Sequence, residues 1–268
     1  MRVLPAPAGT GVVFRRTDLD NFEVEAIGRN VAKVSYATSL MKKGVLISTT
    51  EHLLSAMIGL GVDNAIVELD SLELPILDGS ALPYIDAFQR VGLRRQRKQR
   101  TYMRILKPLE VREGDKFIGV YPTEEDIYSV EYKIHFAHPL IGTQEHEIEL
   151  TRDLYKSEIA PARTFGFLHE AEQLRKLGLI RGASEENAIV LTREGVANGA
   201  LRYPDEFVRH KILDLIGDLA LLGRHLLGRV VADRAGHAMH TALVSRLLKD
   251  RSLWEEARFT EVREFVPA

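Results

Sequence analysis

The chain has 268 residues, 45% of them hydrophobic and 28% charged, which is enough apolar material for a sizeable core in one or two domains and too much for a disordered segment. Thirty-six Lys and Arg against 38 Asp and Glu leave a formal charge of -2, so no global field draws in nucleic acid or an anionic membrane. With no cysteine, disulfides, thiol nucleophiles, iron–sulfur clusters and cysteine-containing zinc sites are excluded, and any metal must sit on His, Asp or Glu.

The opening Met1-Arg2-Val3-Leu4-Pro5-Ala6-Pro7 holds one basic residue and no apolar run of signal-peptide length. Nowhere do ~18 apolar residues follow one another, so the expectation is a cytoplasmic protein without a membrane span. From Gly11 to about Leu46, β-branched and aromatic stretches alternate with turn residues and predict strands. A helix follows. Ser48, Thr49 or Thr50 can cap it, Glu51 suits the positive end of its dipole, Leu53, Leu54, Ala56, Met57 and Leu60 form its apolar face, and Gly59 and Gly61 end it. Asn64 to Leu69 reads as a strand, and the turn-rich Pro75-Ile76-Leu77-Asp78-Gly79-Ser80 leads into a second helix from Pro83 to about Val91.

The basic run Arg94-Arg95-Gln96-Arg97-Lys98-Gln99-Arg100 has no apolar periodicity and reads as a solvated linker rather than a phosphate-binding strip. It divides the chain into predicted α+β domains over residues 1–97 and 98–268. Tyr102 to Val111, Phe117 to Tyr121 and Ile127 to Phe136 predict strands, with Glu113-Gly114-Asp115 as a turn. The remainder reads as helical: Glu170 to Leu177, then Pro204 to Leu222, a strand from Gly228 to Ala232, and a last helix from Ala238 to Leu248.

His210 and Asp214 are four apart on the long helix, so their side chains share a face with Cβ atoms about 5–6 Å apart. That spacing suits two ligands of one metal and equally suits an ordinary polar stripe, which Lys211 and Asp218 would continue. Glu51-His52 reads either as an acid placed for the helix dipole beside an incidental histidine, or as a general base beside a third ligand. His237, after Gly236, is either a surface histidine or an acid catalyst. Arg163-Thr164-Phe165-Gly166-Phe167 offers a hydroxyl and two aromatics, as core packing or as substrate contacts.

Taken together, these residues resemble the UDP-3-O-acyl-N-acetylglucosamine deacetylases, the LpxC family, zinc-dependent enzymes of lipid A (lipopolysaccharide) biosynthesis. The resemblance runs through Pro5-Ala6-Pro7, Phe14-Arg15-Arg16-Thr17-Asp18-Leu19, Ser48-Thr49-Thr50-Glu51-His52-Leu53, Gly59-Leu60-Gly61-Val62-Asp63-Asn64, and Pro75 to Ser80. It continues in Ala162-Arg163-Thr164-Phe165-Gly166-Phe167, Asp205 to Lys211, Asp214 to Leu219, and Gly236-His237-Ala238. It implies two similar α+β domains, each a sheet with helices packed on it, layered with the active site between them. It further implies that His52, His210 and Asp214 bind Zn2+, that Glu51 is the general base, and that His237 is the acid that protonates the leaving amine. Asp218 would orient His237 and keep it cationic, and Thr164 would stabilise the carbonyl oxygen. Lys211, Phe165 and Phe167 would meet an acylated UDP-N-acetylglucosamine, with the protein a monomer. An apolar passage for the acyl chain is expected along Phe165, Leu168, Leu174, Leu177, Leu179 and Ile180.

The sequence departs from the family in two places. The family carries about two further strands and a Gly-Leu-His-Ser-Gly type loop before the Pro-Ala-Pro stretch, which lies only four residues after Met1 here. It also usually has two asparagines where this chain has His240-Thr241. The alternatives are a noncatalytic or truncated homologue that binds a metal or a nucleotide sugar, and an amidase for a different sugar.

Overall fold

Alternation of buried and exposed residues along short β-branched stretches builds the first sheet of this computed structural model, which describes residues 1–32, 37–168, 187–193 and 195–259. Its strands are β1 (Arg2–Pro5), β2 (Val12–Arg16), β3 (Phe22–Glu25) and, after the hairpin of β4 (Leu40–Lys42) with β5 (Val45–Ile47) and helix α1 (Glu51–Leu60), β6 (Ala65–Leu69). The order is β1-β6-β2-β3, with β2 parallel to β6 and the outer pairs antiparallel. Parallel neighbours need a long crossover, and α1 lies within it. The sequence reading gave no strand over residues 2–5, whose only apolar pair is Val3-Leu4.

Helix α1 departs in detail from its expected caps. Thr50 is the N-cap, yet its hydroxyl donates to Thr38 O at 3.2 Å instead of accepting from a helix N–H. Gly59 stays inside the helix, and Gly61 ends it in the left-handed conformation at φ 74°. Helix α2 (Leu82–Val91) follows with Pro83 in its first turn, as expected. Residues 91–99 are then exposed, and Gln96 ties them down by donating to Ala6 O and accepting from Asn64 Nδ2, each at 2.8 Å.

The second sheet has seven strands. The expected strand over 102–111 is two, β7 (Tyr102–Ile105) and β8 (Leu109–Glu113), because Pro108 interrupts the ladder. Next come β9 (Lys116–Tyr121), β10 (Tyr128–Phe136) and β11 (Gly142–Glu149), the last in a region read as helical. A small parallel pair, β12 (Phe165–Phe167) with β13 (Ile189–Leu191), precedes α3 (Glu206–Leu219), β14 (His225–Asp233), α4 (His237–Lys249) and β15 (Trp254–Ala257). The main order is β11-β10-β14-β7-β15, with β9 beside β14 and β8 beside β9. On one edge β14 changes partner, pairing with β7 over 225–227 and with β9 over 229–233. Gly228 sits at the change with φ 154°, where an added Cβ would lie 2.8 Å from Tyr121 O.

One hydrophobic core runs from Phe14 and Val67 of the first sheet, through Leu54 and Met57 of α1 and Ile212 and Leu215 of α3, to Val130 and Tyr132 of the second. Buried on nearly every side, α1 and α3 pack on each other within it. Their approach depends on Gly217: a Cβ there would stand 2.1 Å from Glu51 O, well inside van der Waals contact. The predicted helix over Glu170 to Leu177, and Leu174, Leu177, Leu179 and Ile180 of the expected apolar passage, lie outside the described residues.

Candidate active site

The chain enters α1 through Thr49, which holds φ 61°. This conformation costs a β-branched residue on the order of 1–3 kcal/mol. It is secured by the Thr49 Oγ1 bond to Glu73 Oε1 at 3.1 Å and by backbone bonds on either side, Ser48 N–H to Leu72 O and Thr50 N–H to Thr38 O. The turn sets Glu51 and His52 into the first turn of α1, against the polar stripe of α3.

There, residues 158 positions apart in the chain meet. His210 Nε2 lies 3.3 Å from Asp214 Oδ1 and His52 Nε2 lies 3.7 Å from the same oxygen, and neither contact is a hydrogen bond. The two imidazoles are nearly perpendicular, with centroids 5.0 Å apart. His210 Nδ1 lies 3.0 Å from Ala162 O and donates to it, which leaves Nε2 as a lone pair facing the cluster. These three groups fit a metal. Ligand bonds of ~2.0–2.2 Å in a tetrahedron put donor atoms about 3.3–3.6 Å apart, close to the two separations from Asp214 Oδ1, and all three donor atoms lie within 4.8 Å of one another. Two nitrogens and one carboxylate oxygen also match a catalytic zinc set that keeps one position open.

Burial holds the His52 pKa down, to about 3, and lowers that of His210, so both rings are neutral and able to ligate. Burial by itself would raise Asp214, but Lys211 and the surrounding imidazoles hold it well below the usual carboxylate range. Lys211 Nζ is 2.8 Å from Asp214 Oδ2 and lies over the Phe165 ring at 5.7 Å.

Beside the set stand a carboxyl and a third imidazole. Glu51 Oε2 accepts the Thr38 N–H at 3.1 Å, and burial raises its pKa to about 7, with Asp214 and Asp218 adding to the rise and His237 opposing it. His237 Nδ1 donates to Asp218 Oδ2 at 2.7 Å, and its Nε2 lies 3.8 Å from Asp214 Oδ2. Burial pulls His237 down, but the charges of Asp218 and Asp214 outweigh it and lift the pKa to about 9. His237 is therefore a largely buried cation near neutral pH, not a surface histidine.

Phe165 packs edge-on against Phe207 at 5.0 Å and reaches the His210 ring at 6.4 Å. Phe167 lies further along β12, beside Phe136 and His138. Thr164 is fixed through its backbone, donating to Gly79 O and accepting from Ile189 N–H, each at 2.8 Å. No hydrogen bond of its hydroxyl reaches the cluster. Leu168 is exposed.

Three participants were given no role by the sequence, although His240 stood out as a departure from the family's asparagine. Thr38 gives its N–H to Glu51 and its hydroxyl to Asp218, and nothing in its local sequence sets it apart. His240 donates Nδ1–H to Asp218 Oδ2 at 2.8 Å, and the Tyr132 hydroxyl lies 2.9 Å from His240 Nε2. The i, i+3 spacing of His237 and His240 on one helix was the available signal.

Fold and site thus define an α+β protein with a three-ligand candidate metal centre, a near-neutral carboxyl and a cationic imidazole around one point. A sequence model described as UDP-3-O-acyl N-acetylglycosamine deacetylase (LpxC) matches residues 1–249, and the chain belongs to this family. Proteins called UDP-3-O-acyl-N-acetylglucosamine deacetylase are similar along its length. The one from Solibacter usitatus is 52% identical, over 98% of this chain and 88% of that protein. Its counterpart in Xanthomonas campestris pv. campestris (strain B100) is 46% identical, over 100% and 89%. The Syntrophus aciditrophicus protein is 41% identical, over 98% and 84%.

Proposed function

We propose that this chain hydrolyses the N-acetyl group of UDP-3-O-acyl-N-acetylglucosamine, a step of lipid A biosynthesis, as a cytoplasmic, zinc-dependent monomer. The observation that carries the reading is the convergence of His52, His210 and Asp214 at donor spacings that suit one ion, with Glu51 and His237 beside them. Among the described residues no helix is long and apolar enough to cross a membrane.

An acetamide is a weak electrophile with a poor leaving group. His52, His210 and Asp214 would hold the zinc, which would supply Lewis acidity for acidifying water near neutral pH and polarising an amide carbonyl. Glu51, raised to about 7 by burial, accepts the proton of the attacking water. His237, kept cationic by Asp218, donates a proton from Nε2 to the departing nitrogen. In this reading the Thr164 hydroxyl steadies the carbonyl oxygen as charge develops on it. Lys211, Phe165 and Phe167 receive the sugar and nucleotide, and Lys211 already stands at the edge of the site on Asp214.

Metal content and amine release from the acylated nucleotide sugar test this together. Stoichiometric zinc is expected in the purified protein and is lost in His210→Ala. Glu51→Ala is expected to keep the metal while turnover falls by ~10²-fold or more, the loss of a general base. Substoichiometric metal that His210→Ala leaves unchanged would refute the ligand set.

A further inference from the structure

Asp218 is fully buried and accepts from three side chains. Thr38 Oγ1 donates to its Oδ1, while the Nδ1–H groups of His237 and His240 both donate to Oδ2, at 2.7 and 2.8 Å. A carboxylate oxygen has two in-plane lone pairs, so Oδ2 is saturated and the plane of the carboxylate is fixed by two rings from one helix. His240 is itself fully buried, and its other nitrogen lies 2.9 Å from the Tyr132 hydroxyl in the middle of β10. That same hydroxyl lies 2.8 Å from Ala235 O, the carbonyl that precedes the Gly236–His237 entry to α4. The single phenol proton of Tyr132 goes to Ala235 O, so Tyr132 holds the backbone that delivers His237, and its oxygen stands against the edge of the His240 ring.

We propose that His240, backed by Tyr132, is a positioning residue for the deacetylation: it pins the Asp218 carboxylate and thereby keeps His237 in the one orientation that turns its Nε2 toward the Asp214 side of the site. The inference rests on the roles given to His237 and Asp218 under Proposed function. Without the second donor, Asp218 can turn about its terminal torsion, and the His237 ring, which is hydrogen-bonded to the same oxygen, turns with it. Because His240 is sealed from solvent, its effect belongs in the chemical step and not in substrate capture.

Paired substitutions separate positioning from mere volume. Asn places its amide nitrogen where His places Nδ1, whereas Gln places it near Nε2, within reach of Tyr132 but not of Asp218. In the metal-loaded enzyme His240→Ala is expected to lower kcat by ~10-fold or more, the usual cost of losing an outer partner, with KM changed by less than about two-fold and zinc content unchanged. His240→Asn restores most of kcat, and His240→Gln does not. Equal kcat in the Asn, Gln and Ala variants, or no loss in Ala, overturns the proposal.

A second readout needs no turnover. In histidine-labelled protein, nitrogen–proton spectra are expected to show the His237 Nδ1–H resonance moving in His240→Ala and, by less, in the nearly isosteric Tyr132→Phe, which keeps the fold should the alanine variant lose it. A His237 resonance unmoved by both substitutions overturns the proposal even if the enzyme is active. Wild-type protein that releases no amine while these resonances respond as expected would instead refute the deacetylase reading and leave the tether standing.

Discussion

Two carboxylates one turn apart on α3, Asp214 and Asp218, are both buried, and each has one oxygen facing two histidines, yet the surroundings of those oxygens are opposite. Around Asp218 the partners are donors at 2.7 and 2.8 Å, with the Thr38 hydroxyl on the second oxygen. Three donors close on it, and Oδ2 is saturated. Around Asp214 Oδ1 the imidazole nitrogens stop at 3.3 and 3.7 Å without hydrogen bonds, and the one tautomer fixed by a partner, that of His210, turns a lone pair inward. Clustering alone would mark both His/Asp groups as metal candidates. Donor spacing and proton placement separate them: acceptors facing acceptors across a gap favour a cation, while donors closed on an acceptor make a rigid anion that holds a neighbouring cation.

The sharpest way to break this contrast is to remove each charge in turn. Asp214→Asn is expected to abolish stoichiometric metal binding and to cost more than ~10²-fold in kcat/KM, beyond the range usual for outer partners. Asp218→Asn is expected to retain the metal and to lose ~10–100-fold in activity. On the proposed role of His237, whose pKa is lifted to about 9, it is also expected to shift the alkaline limb of the pH–rate profile to lower pH, because the anion that favours the imidazolium is gone. Equal metal loss in the two variants would erase the distinction.

The smallest expected effect concerns stability without metal. Burial holds His52, His210 and His240 below their ordinary values, so the unfolded chain takes up protons that the folded chain refuses. The part of the stability that these three rings contribute falls as pH drops below the unfolded histidine value of ~6.5, while Glu51 and His237, both raised in the fold, act in the opposite direction and offset some of it. The melting temperature of the metal-free protein is expected to decline from pH 7 to pH 5, and zinc at pH 7 to raise it. A metal-free melting temperature that rises over that interval would show that the raised groups, Glu51 and His237, outweigh the three lowered rings.

Much of the fold was legible where pattern is strong. The helix containing Glu51-His52, the one from Leu82, the long one containing His210 and Asp214, and the strand ending in Leu69 were all readable from apolar spacing, with Pro and Gly marking their ends. Strand β11 was missed because its residues 142–147 are all partly or fully exposed, so it has little apolar signal. Strand β15 escaped as well, since Glu255 and Glu256 separate its two buried residues. The change of partner at Gly228 within β14 depends on which strands stand alongside, and that is not a local property.

For the site, the sequence by itself determined the chemical vocabulary: a cysteine-free chain, an acid and a histidine opening one helix, a histidine and two aspartates on one face of another, and motifs whose order resembles one family. The tertiary structure decided which of those groups face one another. Thr38, Tyr132 and His240 acquire their roles only because sheets and helices distant in sequence close around Asp218. The spacing of His52 to Asp214 exists only because Gly217 lets two helix backbones touch. Periodicity records which side of an element is buried, whereas the direction of a lone pair or a proton is set by whatever packs against it from elsewhere in the chain.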